Sequence, residues 1–270
     1  MAKVQKFYEM NRGKMYFGPY RAGTNIPAYL DWVGNAPAVS LNIERQFQDH
    51  FASYDEDRSK DFSIDLNTNI TGTFTTDTIS PDNLAKAFGD GSTAKVTQAA
   101  ITGHTEAFTV EKPGVFLRLG VTEDNGVGYR NLSNVVITKD NAGSPVTLVN
   151  RVDYQVEANT GLIEILEGGA VQAGDEISVT ADVEASTFTR IITKNTSFRG
   201  AWQFVTKNKS DDNAKNQRIY YAPCAVIRPT GDIALVTENE YAQLTFTISF
   251  EKQPGHELLY VDDRPFTLTA

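Results

Sequence analysis

A lone thiol, Cys224, and three histidines, His50, His104 and His256, are the side chains of this sequence best suited to nucleophilic or metal chemistry. One cysteine can make neither an intrachain disulfide nor a thiolate zinc site. Apolar alternation through Ala222, Cys224 and Val226 predicts a buried strand position for it. The histidines lie far apart and show no HxxxH ligand spacing, so each reads as a surface or hydrogen-bonded structural residue. The segment Asp55-Glu56-Asp57-Arg58-Ser59-Lys60-Asp61 places oxygen side chains as a calcium loop begins. Lys60 stands where such a loop needs glycine, and Leu66 where it needs a bidentate glutamate, which favours a solvated turn. Gly89-Asp90-Gly91-Ser92-Thr93-Ala94-Lys95 hints at a phosphate loop, but these glycines follow a predicted helix, whose last carbonyls repel phosphate. No GxSxG or HExxH occurs, and acidic pairs such as Asp262-Asp263 become catalytic only where a fold brings two carboxylates together. The expectation is a protein that is not an enzyme, with no catalytic residue, no metal and no cofactor.

Composition narrows the partners. The 270 residues carry a net charge of −9 and a pI near 4.9, with 40 % apolar and 22 % charged residues. Such a chain can bury an ordinary core. It lacks the clustered Lys and Arg that release phosphate counterions, so specific nucleic-acid binding is not expected. Met1–Met15 has no apolar run and no signal peptide is expected; no stretch approaches the roughly 20 apolar residues of a membrane helix. Synthesis and folding in a cytoplasm follow as the expectation, with no membrane partner.

The elements that must position these residues read as mainly β, with one short helix. Residues 1–37 mix Gly13, Gly18, Pro19, Gly23, Pro27, Gly34 and Pro37 with many aromatics, and predict an irregular arm that packs on its own domain or on a neighbour. Val39, Leu41 and Ile43 alternate with Ser40, Asn42 and Glu44, which predicts a strand with one wet face. Phe62, Ile64, Leu66 and Ile70 predict one apolar face opposite Asp61, Ser63, Asp65, Asn67, Asn69 and Thr71, and Gly72 suggests a bulge. The helix is expected at 81–88: Ser80 is a natural N-cap, Pro81 suits the first position, Asp82 complements the dipole, and Gly89 ends it. Residues 92–109 read as strand fragments. From 113 to 185 short strands recur at Val115–Val121, Asn134–Thr138, Pro145–Val149, Tyr154–Glu157, Gly161–Leu166 and Glu176–Val183. Further strands are expected at Thr187–Thr193, Phe198–Thr206, Gln217–Arg228, Asp232–Leu235 and Tyr241–Glu251, with an exposed polar loop at Lys207–Asn216. The resulting division is an arm at 1–37, a β core from 38–112 and 186–270, and a β insertion or elaboration at 113–185.

Long rows of Ser, Thr, Asn and Gln on the strand faces read either as a solvated sheet surface or as the inner wall of a channel. The order of features resembles the major tail tube proteins of long-tailed, non-contractile (siphovirus-type) bacteriophages. It is carried by Gly34-Asn35 before the strand Val39–Phe47, Asp49 and His50 after it, a charged loop, the long strands Phe62–Thr78, and Ser80-Pro81-Asp82-Asn83-Leu84-Ala85. Val152-Asp153-Tyr154, Gly161-Leu162-Ile163 and Ala173–Val179 also resemble β segments of such virion proteins. The resemblance implies a tail-tube-like antiparallel β-sandwich or barrel core that forms hexameric rings, stacked into a tube around a tape measure protein, with tail terminator and distal tail proteins as further partners. It implies assembly in the host cytoplasm, residence in the virion tail, and a hydrophilic acidic lumen through which DNA passes without specific binding. Ser40, Asn42, Glu44, Asp61, Ser63, Asp65, Thr245, Thr247 and Ser249 become lumen candidates, and Tyr16, Phe17, Tyr20, Lys207, Lys209, Asp211 and Asp212 inter-ring contact candidates. Ring closure would also pair edge strands that otherwise invite aggregation. The alternatives are another phage tail component, such as a distal tail protein, or a β-sandwich carbohydrate-binding or carbohydrate-active protein.

Overall fold

The computed structural model describes residues 11–53, 58–140, 143–208 and 217–263. The chain divides into two compact units: Met1–Ala94 with Ile191–Ala270, and Lys95–Arg190 between them. The second unit therefore begins and ends outside the 113–185 boundaries read from the sequence, because the strand Ile101–Thr109 pairs inside it.

The first unit opens with β1 (Asn11–Gly18) and β2 (Asp31–Trp32). The expectation of irregular chain over 1–37 fails at β1, which pairs residue for residue with Ala201–Asn208. Its glycines do not break the strand; they permit close approach. A Cβ on Gly18 would overlap the carbonyl of Tyr29, and one on Gly200 would overlap the carbonyl of Gly18. Residues 1–10 of the expected arm lie outside the described residues. Next come β3 (Ala38–Phe51) and β4 (Lys60–Thr76), then α1 (Pro81–Phe88). α1 forms as its sequence predicts: the Ser80 hydroxyl accepts from the Asn83 backbone N–H at 3.1 Å, Pro81 opens the first turn, and Asp82 sits at the positive end. The Asn83 amide donates to the carbonyls of Val33 and Thr78, both at 2.8 Å, and ties the helix to the sheet. The strand β5 (Thr93–Gln98) then leads into the second unit.

That unit holds β6 (Ile101–Thr109), β7 (Phe116–Arg118), β8 (Leu132–Lys139), β9 (Val146–Thr147), β10 (Tyr154–Glu157), β11 (Leu162–Ile165) and β12 (Glu176–Val183). β6-β12-β8-β9 form one antiparallel sheet and β10-β11-β7 another. Alternation fills one core with Leu119, Ile137, Ile163, Ile165, Ile177 and Val179. Asp153 accepts backbone N–H bonds from Val149 and Ala170, each at 2.8 Å, and these hold its carboxyl below the usual carboxylate range. The returning strand β13 (Ser186–Ile191) pairs with β5.

The chain completes the first unit with β14 (Phe198–Asn208), β15 (Ile219–Pro229), β16 (Leu244–Phe250) and β17 (Tyr260–Asp262). Its eight-stranded sheet runs β2-β1-β14-β15-β16-β4-β3, with β17 on β15. The core contains Met15, Phe17, Trp202, Leu244 and Ile248, with Phe74 stacked on Phe246 at 4.8 Å between ring centres. No strand forms at the expected Asp232–Leu235. Thr230–Gln243 is instead a loop whose Leu235 and Val236 lie 89 % and 87 % exposed. The fold is thus mainly β with one short helix and several sheets, and among the described residues no sheet closes into a barrel.

Candidate assembly surface

The register of β3, β4 and β16 creates a projection. β16 covers β4 only from Thr71 to Thr76, whereas β3 and β4 pair from Ala38 and Thr75 out to Phe51 and Lys60. From Ile43 to Ile70 the described chain is therefore a two-stranded ribbon, and β3 has no neighbour but β4. Apolar side chains expected to alternate inward are in water here: Ile43, Phe62, Ile64 and Leu66 are more than half exposed, as is Phe47, and of the row Phe62 to Ile70 only Ile70 is buried. Alternation does not hold as one face along the ribbon: Ile70 pairs with Ile43, but beyond the register shift at Gln46/Phe47 Ile64 pairs with Gln48 and Phe62 with His50, on the opposite face. Register shifts at Gln46/Phe47 and at His50/Phe51 twist the ribbon and disturb its alternation.

Charges grip the ribbon from its flanks. The Lys60 ammonium lies 2.6 Å from Asp49 and 5.5 Å above the Phe47 ring, and Ser63 donates to the same Asp49 oxygen at 2.7 Å. Lys60 first, then Ser63, draws the Asp49 carboxyl below its ordinary range. His50 and Asp61 meet at 2.7 Å. Of the calcium-like segment Asp55–Asp61, residues 55–57 lie outside the described residues, and Lys60 pairs with Asp49.

Six of the nine lumen candidates fall on one outward sheet face. Ser40, Thr73 and Thr247 form one cross-strand row and Asn42, Thr71 and Ser249 the next, with Glu44 opposite Asn69 and Thr245 opposite Thr75. The Ser40 and Thr73 hydroxyls are 2.7 Å apart. Arg228, opposite Thr247, borders this hydroxyl field with a cation. Asp61, Ser63 and Asp65 lie farther out, along the ribbon, and are exposed. Among the inter-ring candidates, Phe17 belongs to the core at 1 % exposure, Tyr16 and Tyr20 are half-buried, and Lys207 is exposed. Lys209, Asp211 and Asp212 lie outside the described residues.

The reactive side chains have structural surroundings. Cys224 is buried, as its alternation predicts, with the Arg199 guanidinium 3.6 Å from its sulfur. Tyr20 donates to the Pro223 carbonyl at 2.7 Å and accepts from Gln253 at 2.8 Å. Burial, then Cys224, pushes the Tyr20 phenol far above its ordinary value, which keeps it protonated. His104 packs edge-on against Tyr129, and His256 is exposed. Among the described residues no group of three or more His, Cys, Asp or Glu is placed to hold a metal, and no helix is long and apolar enough to cross a membrane.

A feature with no sequence signature is an open groove of about 890 Å³ in the first unit, lined by Arg12, Val39, Leu41, Trp202, Phe204 and Tyr220 among others. A second hollow of about 450 Å³ shares Arg12, Gly13 and Thr206 with it and adds Lys14 and Lys207. Its parts come from strands far apart in the chain, so only the pairing order brings them together.

Fold and surface together define a mainly-β protein that presents a bare ribbon, a hydroxyl-rich sheet face and an open, aromatic groove. The chain belongs to the family described as Protein of unknown function UCP028589, whose model matches residues 8–256. No curated protein matches its sequence.

Proposed function

We propose that this protein is a self-assembling structural subunit of the phage tail-tube kind and catalyses nothing. The observation that carries the reading is the ribbon from Ile43 to Ile70. Among the described residues it holds two unpaired strand edges and five large apolar side chains in water, a state that other copies can relieve by pairing edges and covering those side chains. A β-sandwich-like core would hold each ribbon in a ring, probed first for six copies, so that ribbons and the neighbouring sheet face form a shared inner wall. Ser40, Asn42, Glu44, Thr245, Thr247 and Ser249 would then face the lumen, whereas Ser63 and Asp65, which pair with Asp49 and Phe47 beyond the register shift, turn to the other face of the ribbon, and Asp61 sits at its second shift. Hydroxyls and carboxylates offer DNA phosphates nothing to release counterions, so DNA would slide past. Stacked rings would surround a tape measure protein, end on terminator and distal tail proteins, and reside in the virion after assembly in the host cytoplasm.

Negative-stain electron microscopy of the purified chain over a concentration series, with light scattering on the same samples, tests this. Hollow rings or tubes are the expected outcome. A monomer at every concentration would overturn the reading and move weight to a carbohydrate-binding β protein.

A further inference from the structure

We infer that the outward face of the β1–β14 pair is a binding site for a compact, multiply charged phosphate, a pyrophosphate or triphosphate group. The register builds it. Arg12 lies directly opposite Lys207, Lys14 opposite Val205, and Tyr16 opposite Gln203. Alternation sets these residues on the other face from Met15, Phe17, Trp202 and Phe204, which serve the core and the aromatic groove. Arg12, near the start of β1, borders both hollows.

Two cations therefore share one cross-strand position, with Lys14 diagonal to Lys207. Like charges directly opposite each other weaken a sheet. Nothing nearby relieves them. β1 and β14 contain no Asp or Glu, and none of Arg12, Lys14 and Lys207 has an ion-pair partner among the described residues. Lys14 meets only the Trp32 ring, its ammonium 5.2 Å from the ring centre. The chain holds 34 Asp and Glu against 25 Lys and Arg, so acids that could have paired these cations are plentiful in it. A local conflict of this kind, left standing in so acidic a sequence, marks a site that a ligand completes.

The hollow beside these side chains measures about 450 Å³ and is lined by Arg12, Lys14, Tyr16, Lys207 and Gln217 among others, with no acid. That room suits a small ligand. The guanidinium of Arg12 can hold two oxygens of one phosphate, and the two ammonium groups can meet its neighbours. A single carboxylate would leave part of the charge unanswered, whereas linked phosphates match it. Toward β2 the cations end at Lys14, because the next pair on this face is Tyr16 and Gln203. The backbone of a polyanion would run off the charge there, which favours a short anion.

The site lies within one chain and does not depend on the self-assembly reading. Isothermal titration calorimetry of the full chain at low salt, with inorganic tripolyphosphate and separately with magnesium-free ATP, tests it. Saturable binding is expected with both. Arg12→Gln, Lys14→Gln and Lys207→Gln should each weaken it about tenfold. Lys95→Gln and Lys112→Gln, in the second unit, should leave it unchanged. Lys207→Glu separates binding from structure. It sets opposite charges across the strand pair, so it should abolish binding and yet raise the midpoint of urea denaturation. Equal affinity for the two probes would make the phosphates the whole of the recognised group. Tighter ATP would add its nucleoside, and weaker ATP would restrict the site to free oligophosphate; all three results sustain it. A wild-type chain that binds neither probe would overturn the inference. So would control variants that weaken binding as much as the three site variants, since the effect would then be one of overall charge. A Lys207→Glu chain less stable than wild type would show that the cations do not repel and would overturn it as well.

Discussion

Lys86 carries a charge where water barely reaches. It is 9 % exposed on α1, its ammonium lies 5.6 Å over the Phe198 ring, and no carboxylate pairs with it among the described residues. Desolvation lowers its pKa, and the carboxylates of Asp82 and Asp31 only partly oppose this. The unfolded chain therefore binds this proton more tightly. Between the lowered value and the ordinary lysine value the unfolded state holds more protons, and stability rises with pH through that window. Below the lowered value the penalty is fully present. Lys86→Met should stabilise the first unit by about 1 kcal/mol near neutrality. The gain should shrink as pH approaches the ordinary lysine range, which urea denaturation at the two pH values can measure. At the other end of the same helix, Ser80→Ala removes the acceptor for Asn83 N–H and should cost about 1 kcal/mol in the same assay. Ser80 was legible from sequence because capping is a local code. The burial of Lys86 was not, since a helix pattern gives no sign of what packs on each face.

At the scale of elements, local patterns told true wherever one strand's own alternation settled the matter. β12, with Ile177, Val179, Ala181 and Val183 all inward, lies where its alternation put it, and so does Leu244–Phe250 in β16. β1 was missed because Gly13 and Gly18 look like breakers, and only β14 and the Tyr29 carbonyl reveal why glycine is needed there. The loop at Thr230–Gln243 was partly misread as a strand because Ile233, Leu235 and Val236 carry β propensity without a partner to pair. The groove could not be read at all, since it depends on the order of strands in the sheet. The ribbon yields the sharpest test at this scale. Phe62→Ser, Ile64→Ser and Leu66→Ser together remove apolar surface that the single chain leaves exposed. Subunit stability should change by no more than about 0.5 kcal/mol per site. Oligomers should disappear in light scattering, whereas a triple variant that assembles normally would deny the ribbon its role.

For the whole molecule, the two units have separate cores, one around Phe74 and Trp202 and the other around Ile137 and Ile163. The chain enters and leaves the second through paired strands, β5 and β13, so its ends lie together. A fragment spanning 93–191 should fold alone, with a single cooperative thermal transition in circular dichroism. The ribbon, the hydroxyl face, the loop and the groove all belong to the first unit. Replacing 95–190 by a short Gly-Ser linker should therefore preserve assembly, as electron microscopy can check. Loss of assembly in a variant that remains folded would place a needed contact on the second unit.

On the proposed self-assembly reading, the bare ribbon would also govern time. Two copies that meet must each hold a long hairpin still for the reward of one newly paired edge, and each still leaves another edge open. A later copy joining a nearly closed ring would satisfy edges on both its sides at once. Early encounters should thus fall apart more often than they grow, and growth should follow a lag that shortens steeply with concentration. Preformed fragments should abolish that lag, because they supply the ordered edge that the first copies lack.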